Sequence, residues 1–209
     1  TSWYLHADGS LSPQRPEAEM GRRSYLYDPA DPVPTLGGNI MRSELRGSYD
    51  QAPLDARGDI LRFVSEPFEE PMEITGPISL KLFAATDARD TDFMAKLIVV
   101  KPTGQAFNLV DGVIRARYRE SFSESKLLTP GEVYGYDLDL WATSYELAPG
   151  DRLRIDISSS NFPRLNRNPN TGAPFAESTE MRPARQTIHA SSRYPSKLVL
   201  PVIPAAGRE

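Results

Sequence analysis

The sequence contains no cysteine and only two histidines, His6 and His189, among its 209 residues. The missing cysteine excludes a disulfide framework, a thiol nucleophile and a thiolate ligand for a metal ion. A catalytic base also needs a nucleophile within hydrogen-bonding reach, so we expect both histidines to be surface or packing residues. The Gly-x-Ser-x-Gly elbow that carries the nucleophile of α/β-hydrolases does not occur in the sequence. The chain therefore shows no catalytic apparatus of the serine-hydrolase kind.

Long apolar runs are also lacking, and none approaches the roughly 20 residues that span a membrane. No charged and then apolar leader is present at the start of the sequence. The formal net charge of -4 gives no electrostatic reason to bind nucleic acid or an anionic membrane, so we expect neither partner. The chain starts at Thr1, which we interpret as a processed product or a part of a longer chain. The compartment stays open, with the cytoplasm as our working expectation.

The sequence is rich in short apolar runs, separated by 19 prolines and 14 glycines. In residues 152–158, Leu153, Ile155 and Ile157 alternate with polar residues, which is the period of a strand with two different faces. Pro-Gly pairs in LTPGE and LAPGD predict turns that precede strands. The predicted strands are 59–65, 78–85, 92–100, 105–110, 112–118, 133–141, 152–158 and 196–203. This pattern predicts an all-β chain, an antiparallel β-sandwich of the jelly-roll type.

The first 58 residues differ from the rest of the chain. They have weak strand signals only at SWYL and RSYLY, followed by a long path rich in proline, glycine and charge. A path of this length is expected to be functional or to lie across another surface. We treat residues 1–209 as a single sandwich domain and expect 1–58 to be an extended segment that packs on a second domain.

The densest group of carboxylates is formed by Asp87, Asp90 and Asp92. Paired carboxylates hydrolyse glycosides, and carboxylate oxygens bind Ca²⁺, but the spacing does not fit the Ca²⁺-loop pattern. Turn capping and ion pairs with Arg89 or Arg115 explain the group better. We therefore expect no metal site, while an enzyme with its own site at this cluster stays an alternative.

Two further features suit other functions. The hydroxyls of Ser158, Ser159 and Ser160 follow a predicted strand, where such groups commonly bond to the backbone. A sugar-binding module needs exposed aromatic platforms, and Trp3, Trp141 and Tyr145 are available, although aromatic residues in strands lie more often in the core. A free-standing carbohydrate-binding jelly-roll module therefore remains an alternative function.

Five blocks occur in order along the chain: YLYDPADPVPTLGG, DARGDILRFVSEPFEEPMEITGP, DTDFMAKL, DGVIRARYRE and ISSSNFPRLNRNPNTG. Together they resemble the C-terminal domain of the cocaine esterase / X-Pro dipeptidyl-peptidase (CocE/NonD) family of serine hydrolases. The resemblance implies a galactose-binding-domain-like jelly roll that contains no member of the Ser-Asp-His triad. It also implies an upstream α/β-hydrolase domain as the partner, acting on small esters or amides including X-Pro peptides. No cofactor or metal is implied.

The resemblance places the proline-rich block YLYDPADPVPTLGG against that catalytic domain. Its prolines restrict φ, so little loop entropy is left to lose on docking, and its glycines let the chain turn tightly and approach another backbone. Apolar residues are common in the family just after this stretch, so Arg42 indicates a polar or acidic substrate group. The expected interface residues are Tyr27, Asp28, Pro29, Pro32, Pro34, Gly37 and Gly38. The expected pocket-lining residues are Asn39, Ile40, Met41 and Arg42. The alternative is a loop that only covers an edge of the sandwich.

Overall fold

The computed structural model describes residues 1–41, 44, 46–174 and 179–204. In these residues the chain is built from twelve strands and two three-residue 3₁₀ turns, Ala52–Leu54 and Ala116–Tyr118. None of the described helical turns has the length and apolarity of a membrane span. The strands are β1 (Ser2–Leu5), β2 (Leu11–Ser12), β3 (Arg22–Tyr27), β4 (Leu61–Val64), β5 (Met72–Thr86), β6 (Asp92–Val100), β7 (Ala106–Arg115), β8 (Tyr134–Leu147), β9 (Arg152–Ser158), β10 (Ala184–His189), β11 (Lys197–Val199) and β12 (Val202–Ile203).

The strands form two antiparallel sheets that face each other, which confirms the expected all-β sandwich. The larger sheet has the order β2-β1-β11-β5-β10-β3, and β8 and β12 also pair with the long strand β5. The smaller sheet has the order β4-β9-β6-β7. Apolar side chains from both inner faces form one core, in which Tyr136, Phe63 and Phe93 are among the largest fully buried residues.

Two predicted strands, 92–100 and 152–158, have the bounds that the structure gives to β6 and β9. Other predicted strands have the wrong first or last residue. The two strands predicted at 105–110 and 112–118 are one strand, β7, which ends at Arg115 before a 3₁₀ turn. The strand predicted at 196–203 is divided into β11 and β12, and Pro201, which has no N–H to donate, lies between them. Strand β5 runs through Gly76 and Pro77, which look like strand breakers in the sequence.

The first part of the expected extended segment contributes strands to the larger sheet. The weak signals at SWYL and RSYLY become β1 and β3 because each pairs with a distant strand, β11 and β10 respectively. Tyr27 was therefore placed wrongly in a loop: it is the last residue of β3 and is fully buried. Its hydroxyl donates to the backbone carbonyl of Asn168 at 3.2 Å.

The described residues between 28 and 60 (28–41, 44 and 46–60), here called the covering segment, lie over the outer face of the smaller sheet. Backbone N–H groups of Gln51 and Tyr49 donate to Ala106 O and Asn108 Oδ1, both on β7, at 2.7 Å each. A small second core of Val33, Leu54 and Ile60 lies within the segment. The alternation predicted for β9 is correct, and Arg154 and Asp156 of its charged face are buried under this segment.

Candidate functional site

The tip of the covering segment, residues 37–41, begins with two glycines that no other residue could replace without strain. Gly37 and Gly38 have φ values of 66° and 101°. A Cβ on Gly37 would lie 2.6 Å from the carbonyl oxygen of Gly47. Gly38 and Gly47 exchange two backbone hydrogen bonds, of 2.7 and 3.0 Å. The glycines therefore permit a close backbone contact with Gly47, which belongs to this same chain.

The prolines before the tip belong to a stretch that pairs with the segment after β9. Thr35 N donates to Phe162 O at 2.7 Å, and Phe162 N donates to Val33 O at 2.9 Å. These bonds enclose Pro34 in a parallel bridge, with Pro34 exposed and Pro32 half-buried. The main chain leading to the tip is thus held on the domain on both sides of Pro34.

The start of the covering segment is a turn fixed by Asp28. Its carboxylate Oδ1 accepts a hydrogen bond from the backbone N–H of Ala30 at 2.9 Å. Pro29 is buried, and its carbonyl accepts from the guanidinium of Arg167 at 3.0 Å. Asp28 and Pro29 therefore serve the fold of this chain, and a role for them at a domain interface stays a prediction.

A surface cavity of about 480 Å³ lies beside the tip. Asn39 and Ile40 line it from the tip, Asp111 from β7 and Trp141 from β8. Two of the four expected pocket residues are thus brought to one concave surface. Met41 is fully exposed and does not line the cavity, and Arg42 lies outside the described residues. Trp141 was missed as a neighbour of the tip, because only the packing of β7 against β8 brings the two together.

Charged side chains behind the cavity are paired within the chain. Asp111 is buried and forms an ion pair with the guanidinium of Arg164. Lys96 is also buried, and its ammonium donates to Gln51 Oε1 of the covering segment at 3.2 Å. Burial lowers the pKa of Lys96, and the nearby carboxylates Asp111 and Asp156 oppose that shift. This network ties the covering segment to the sheet.

The aspartate cluster is occupied by internal ion pairs. Asp92 is bridged by two hydrogen bonds from Arg115, both 2.9 Å, as the sequence predicts. Asp90 accepts from the guanidinium of Arg117 at 2.8 Å, and Asp87 accepts from a backbone N–H of β10. Burial raises the pKa of Asp92 in spite of Arg115. Among the described residues, no group of three or more His, Asp or Glu could hold a metal ion.

The structure brings one histidine to a serine, which the sequence did not reveal. The β1–β2 hairpin places His6 Nε2 2.9 Å from Ser12 Oγ. Asp8, the acid nearest to His6 in the sequence, accepts instead from the backbone and the hydroxyl of Ser10, at 2.8 and 2.7 Å. Asp8 therefore does not orient His6 in the way that a triad carboxylate orients its base. His189 is the last residue of β10 and packs edge-on against the ring of Tyr194.

Two of the three hydroxyls of the serine run bond to the backbone, as expected, and the third bonds to a buried side chain. Ser160 Oγ accepts from the backbone N–H of Val33 at 2.9 Å. Ser159 Oγ shares a hydrogen bond of 2.9 Å with the hydroxyl of buried Tyr25. Ser158 Oγ donates to the carbonyl of Ser160 at 3.3 Å.

The aromatic candidates do not form a platform of the sugar-binding kind. Trp3 packs edge-on against Phe68, with ring centroids 5.7 Å apart. Tyr145 is half-buried against the core, with the ammonium of Lys101 over its ring. Trp141, in contrast, is 65% exposed. Trp141 is therefore the exposed aromatic residue among these three. Neither Trp3 nor Tyr145 provides a second ring coplanar with it.

Residues 1–199 match the family described as the X-Pro dipeptidyl-peptidase C-terminal non-catalytic domain. The chain belongs to this family. It is 45% identical over 183 residues to the cocaine esterase of Rhodococcus sp. (strain MB1 Bresler), covering 86% of this chain and 32% of the relative. This membership confirms the resemblance found in the five sequence blocks.

Two solved structures share the fold of this C-terminal domain closely. One is an aminopeptidase from the marine sediment archaeon Thaumarchaeota archaeon, with a TM-score of 0.90 and 31% identity, covering 98% of this chain and 37% of that one. The other is an α-amino acid ester hydrolase, with a TM-score of 0.90 and 35% identity, covering 97% of this chain and 36% of that one. The chain thus spans about a third of the length of these relatives.

Proposed function

We propose that this non-catalytic domain works in a serine hydrolase whose catalytic α/β-hydrolase domain is its partner. In that protein it stabilises the catalytic domain and supplies one wall of the substrate pocket. The relatives named above are by name an esterase, an ester hydrolase and an aminopeptidase. The substrate class is accordingly a small ester or an amide, including X-Pro peptides.

The observation that carries the proposal is the position of the tip. Its backbone is hydrogen-bonded to Gly47 through Gly38, and Met41 is fully exposed beside a cavity that Asn39 and Ile40 line. Binding sites occur preferentially at domain interfaces, and rigid loops lose little entropy when they dock. An exposed apolar side chain on a fixed backbone is suited to meet a second domain.

The rest of the covering segment supports a role in which its inner side holds it to this domain and its outer side meets the partner. Its inner side is anchored to the smaller sheet through Gln51 and Tyr49, so the segment forms part of this domain. We therefore propose that the catalytic domain contacts the outer side of the covering segment, and above all its tip, rather than all of residues 1–58. The interface residues with the best geometry for that role are Asn39, Ile40 and Met41.

The experiment is oxidation footprinting of the full-length protein. Met20 and Met41 are matched probes, because they are 92% and 100% exposed on this domain. Met20 lies just before β3 in the chain, and Met41 lies at the tip of the covering segment, which follows β3. We expect hydrogen peroxide to oxidise Met20 readily and Met41 slowly, because the catalytic domain covers Met41.

Equal oxidation rates for the two methionines would show that the tip faces solvent in the intact protein. The proposed docking of the tip would then be wrong. Protection of Met41 that persists after substitution of the catalytic serine would support docking that is independent of turnover.

A further inference from the structure

Trp141 is the extra residue of a bulge in β8. Ala142 pairs with Pro77 and Asp139 pairs with Ser79, so Leu140 and Trp141 both lie opposite the single residue Ile78. Before the bulge the even-numbered residues of β8 point into the core, and after it the odd-numbered residues face inward. Trp141 is the point at which this alternation changes.

The backbone at Trp141 has a conformation that suits glycine far better than tryptophan. Its φ is 69°, in the left-handed region that bulky residues rarely adopt. Asp139 Oδ1 accepts a hydrogen bond from the Trp141 N–H at 2.7 Å and helps to hold this conformation. Gly112 of β7 makes room for the neighbouring backbone, since a Cβ there would lie 2.1 Å from Asp139 O.

The strained backbone does not gain burial for the indole, because Trp141 remains 65% exposed. Instead, the residue lines the cavity beside the tip, together with Ile40. A cavity of about 480 Å³ falls within the size range of small-molecule sites. A strained backbone in a concave site indicates a functional constraint rather than a packing one.

The chemistry of the cavity favours an apolar ligand group next to Trp141. Besides Trp141, four apolar residues that are not buried line it, namely Ile40, Leu109, Val110 and Ala142, together with the polar Asn39, Ser48 and Asn108. Asp111 is neutralised by its ion pair with Arg164, and Arg46 adds a cation to the lining. An aromatic or branched aliphatic group can therefore pack on the indole face.

We propose that Trp141 is a specificity-determining residue of the substrate pocket, which packs its indole against the apolar acyl or side-chain group of the substrate. This inference rests on the proposed function, because it places the same cavity in the substrate pocket. Trp141 and Ile40 then belong to one wall. The bulge presents the indole to the substrate at the expense of backbone strain.

The test compares Trp141→Gly and Trp141→Phe in the full-length protein, with Phe122→Ala as the control. Phe122 is 94% exposed and does not line the cavity. The substrates are p-nitrophenyl acetate, butyrate and benzoate, and a parallel series of X-Pro p-nitroanilides. Melting temperature and kcat/KM are measured for each variant.

Glycine accepts a positive φ without strain, so Trp141→Gly is expected to melt at the wild-type temperature or above it. For the benzoate, or for the bulkiest anilide, we expect kcat/KM to fall about 10- to 200-fold. The acetate should be affected much less, Trp141→Phe should be intermediate, and Phe122→Ala should match the wild type.

A lower melting temperature for Trp141→Gly, with an equal loss on every substrate, would show that the indole only supports the fold. Wild-type kinetics for both Trp141 variants would also overturn the inference. If Ile40→Ala still impairs bulky substrates in that case, the proposed function stands without Trp141. A wild-type protein that turns over neither series would contradict the proposed function, and this inference with it.

Discussion

The guanidinium of Arg154 on β9 lies 2.9 Å from the carboxylate of Asp55 in the covering segment. The same guanidinium makes two hydrogen bonds of 2.7 Å to Asp156, and both Arg154 and Asp156 are buried. Burial raises the pKa of Asp156, and the contacts with Arg154 oppose that shift. Arg154, Asp156 and Asp55 therefore form a charged cluster between the smaller sheet and the covering segment.

Loss of the Arg154 side chain should strongly destabilise the fold. Arg154→Met leaves the buried Asp156 carboxylate without its hydrogen-bonding partner, so we expect the free energy of unfolding to fall by about 3–5 kcal/mol. Lys81→Met is the matched control, because Lys81 pairs with the exposed Asp137 at 2.8 Å and its loss should cost less than about 1 kcal/mol. Urea denaturation of both variants measures the difference.

Replacement of both buried partners should recover much of that loss. The double variant Arg154→Met, Asp156→Leu also removes the buried carboxylate that has lost its hydrogen bonds, and apolar pairs at such sites are often as stable as the ion pair. Equal destabilisation by Arg154→Met and Lys81→Met would show that the covering segment does not enclose this face.

His189 should make the stability of the domain sensitive to acid. Burial, helped by the positive charge of Arg22, lowers the pKa of His189 below its usual value of 6.5. Between the lowered pKa and 6.5 the unfolded chain binds more protons than the folded chain, so stability rises with pH across that window. Below the lowered pKa, protonation of His189 destabilises the folded chain by its full amount. Above pH 6.5 this destabilisation is absent.

The variant His189→Gln removes this titration. We expect the wild type to lose stability relative to the variant when the pH is lowered from about 7.5 to about 5, as seen in urea midpoints. A difference between the two proteins that is the same at both pH values would mean that His189 is not desolvated in the folded chain.

The chain alone should not hydrolyse activated esters. His6 and Ser12 are within hydrogen-bonding distance, but the acid nearest in sequence bonds to Ser10 instead. The assay is p-nitrophenyl acetate with the chain and with Ser12→Ala and His6→Ala. Multiple turnovers by the chain that both substitutions abolish would establish a site of its own and contradict the non-catalytic role.

The sequence predicted elements well where the alternation was regular and both neighbours were strands. The bounds of β9 follow from Leu153, Ile155 and Ile157, which all lie in the core. Its second face could not be predicted as buried, because the cover comes from residues about a hundred positions earlier. Tyr27 was misplaced for a similar reason, since β3 exists through its pairing with β10.

The candidate site was predicted only in part. The glycine pair marked the tip, because a turn of that kind needs positive φ, and Asn39 and Ile40 do line a cavity. Trp141 carried no such signal. The bulge that exposes it arises from the register of β8 on β5, and nothing local in the residues around Trp141 indicates a left-handed backbone.

We propose that the tip of this domain forms part of the substrate pocket of the full-length protein. The most direct measurement is kcat/KM for a bulky and a small substrate, in Ile40→Ala, Met41→Ala and the control Met20→Ala. We predict that the first two lose about 1–3 kcal/mol of transition-state stabilisation for the bulky substrate only, while Met20→Ala keeps wild-type values. Wild-type kinetics in all three variants, across substrates of different size, would contradict the claim and leave the segment as a cover of the smaller sheet.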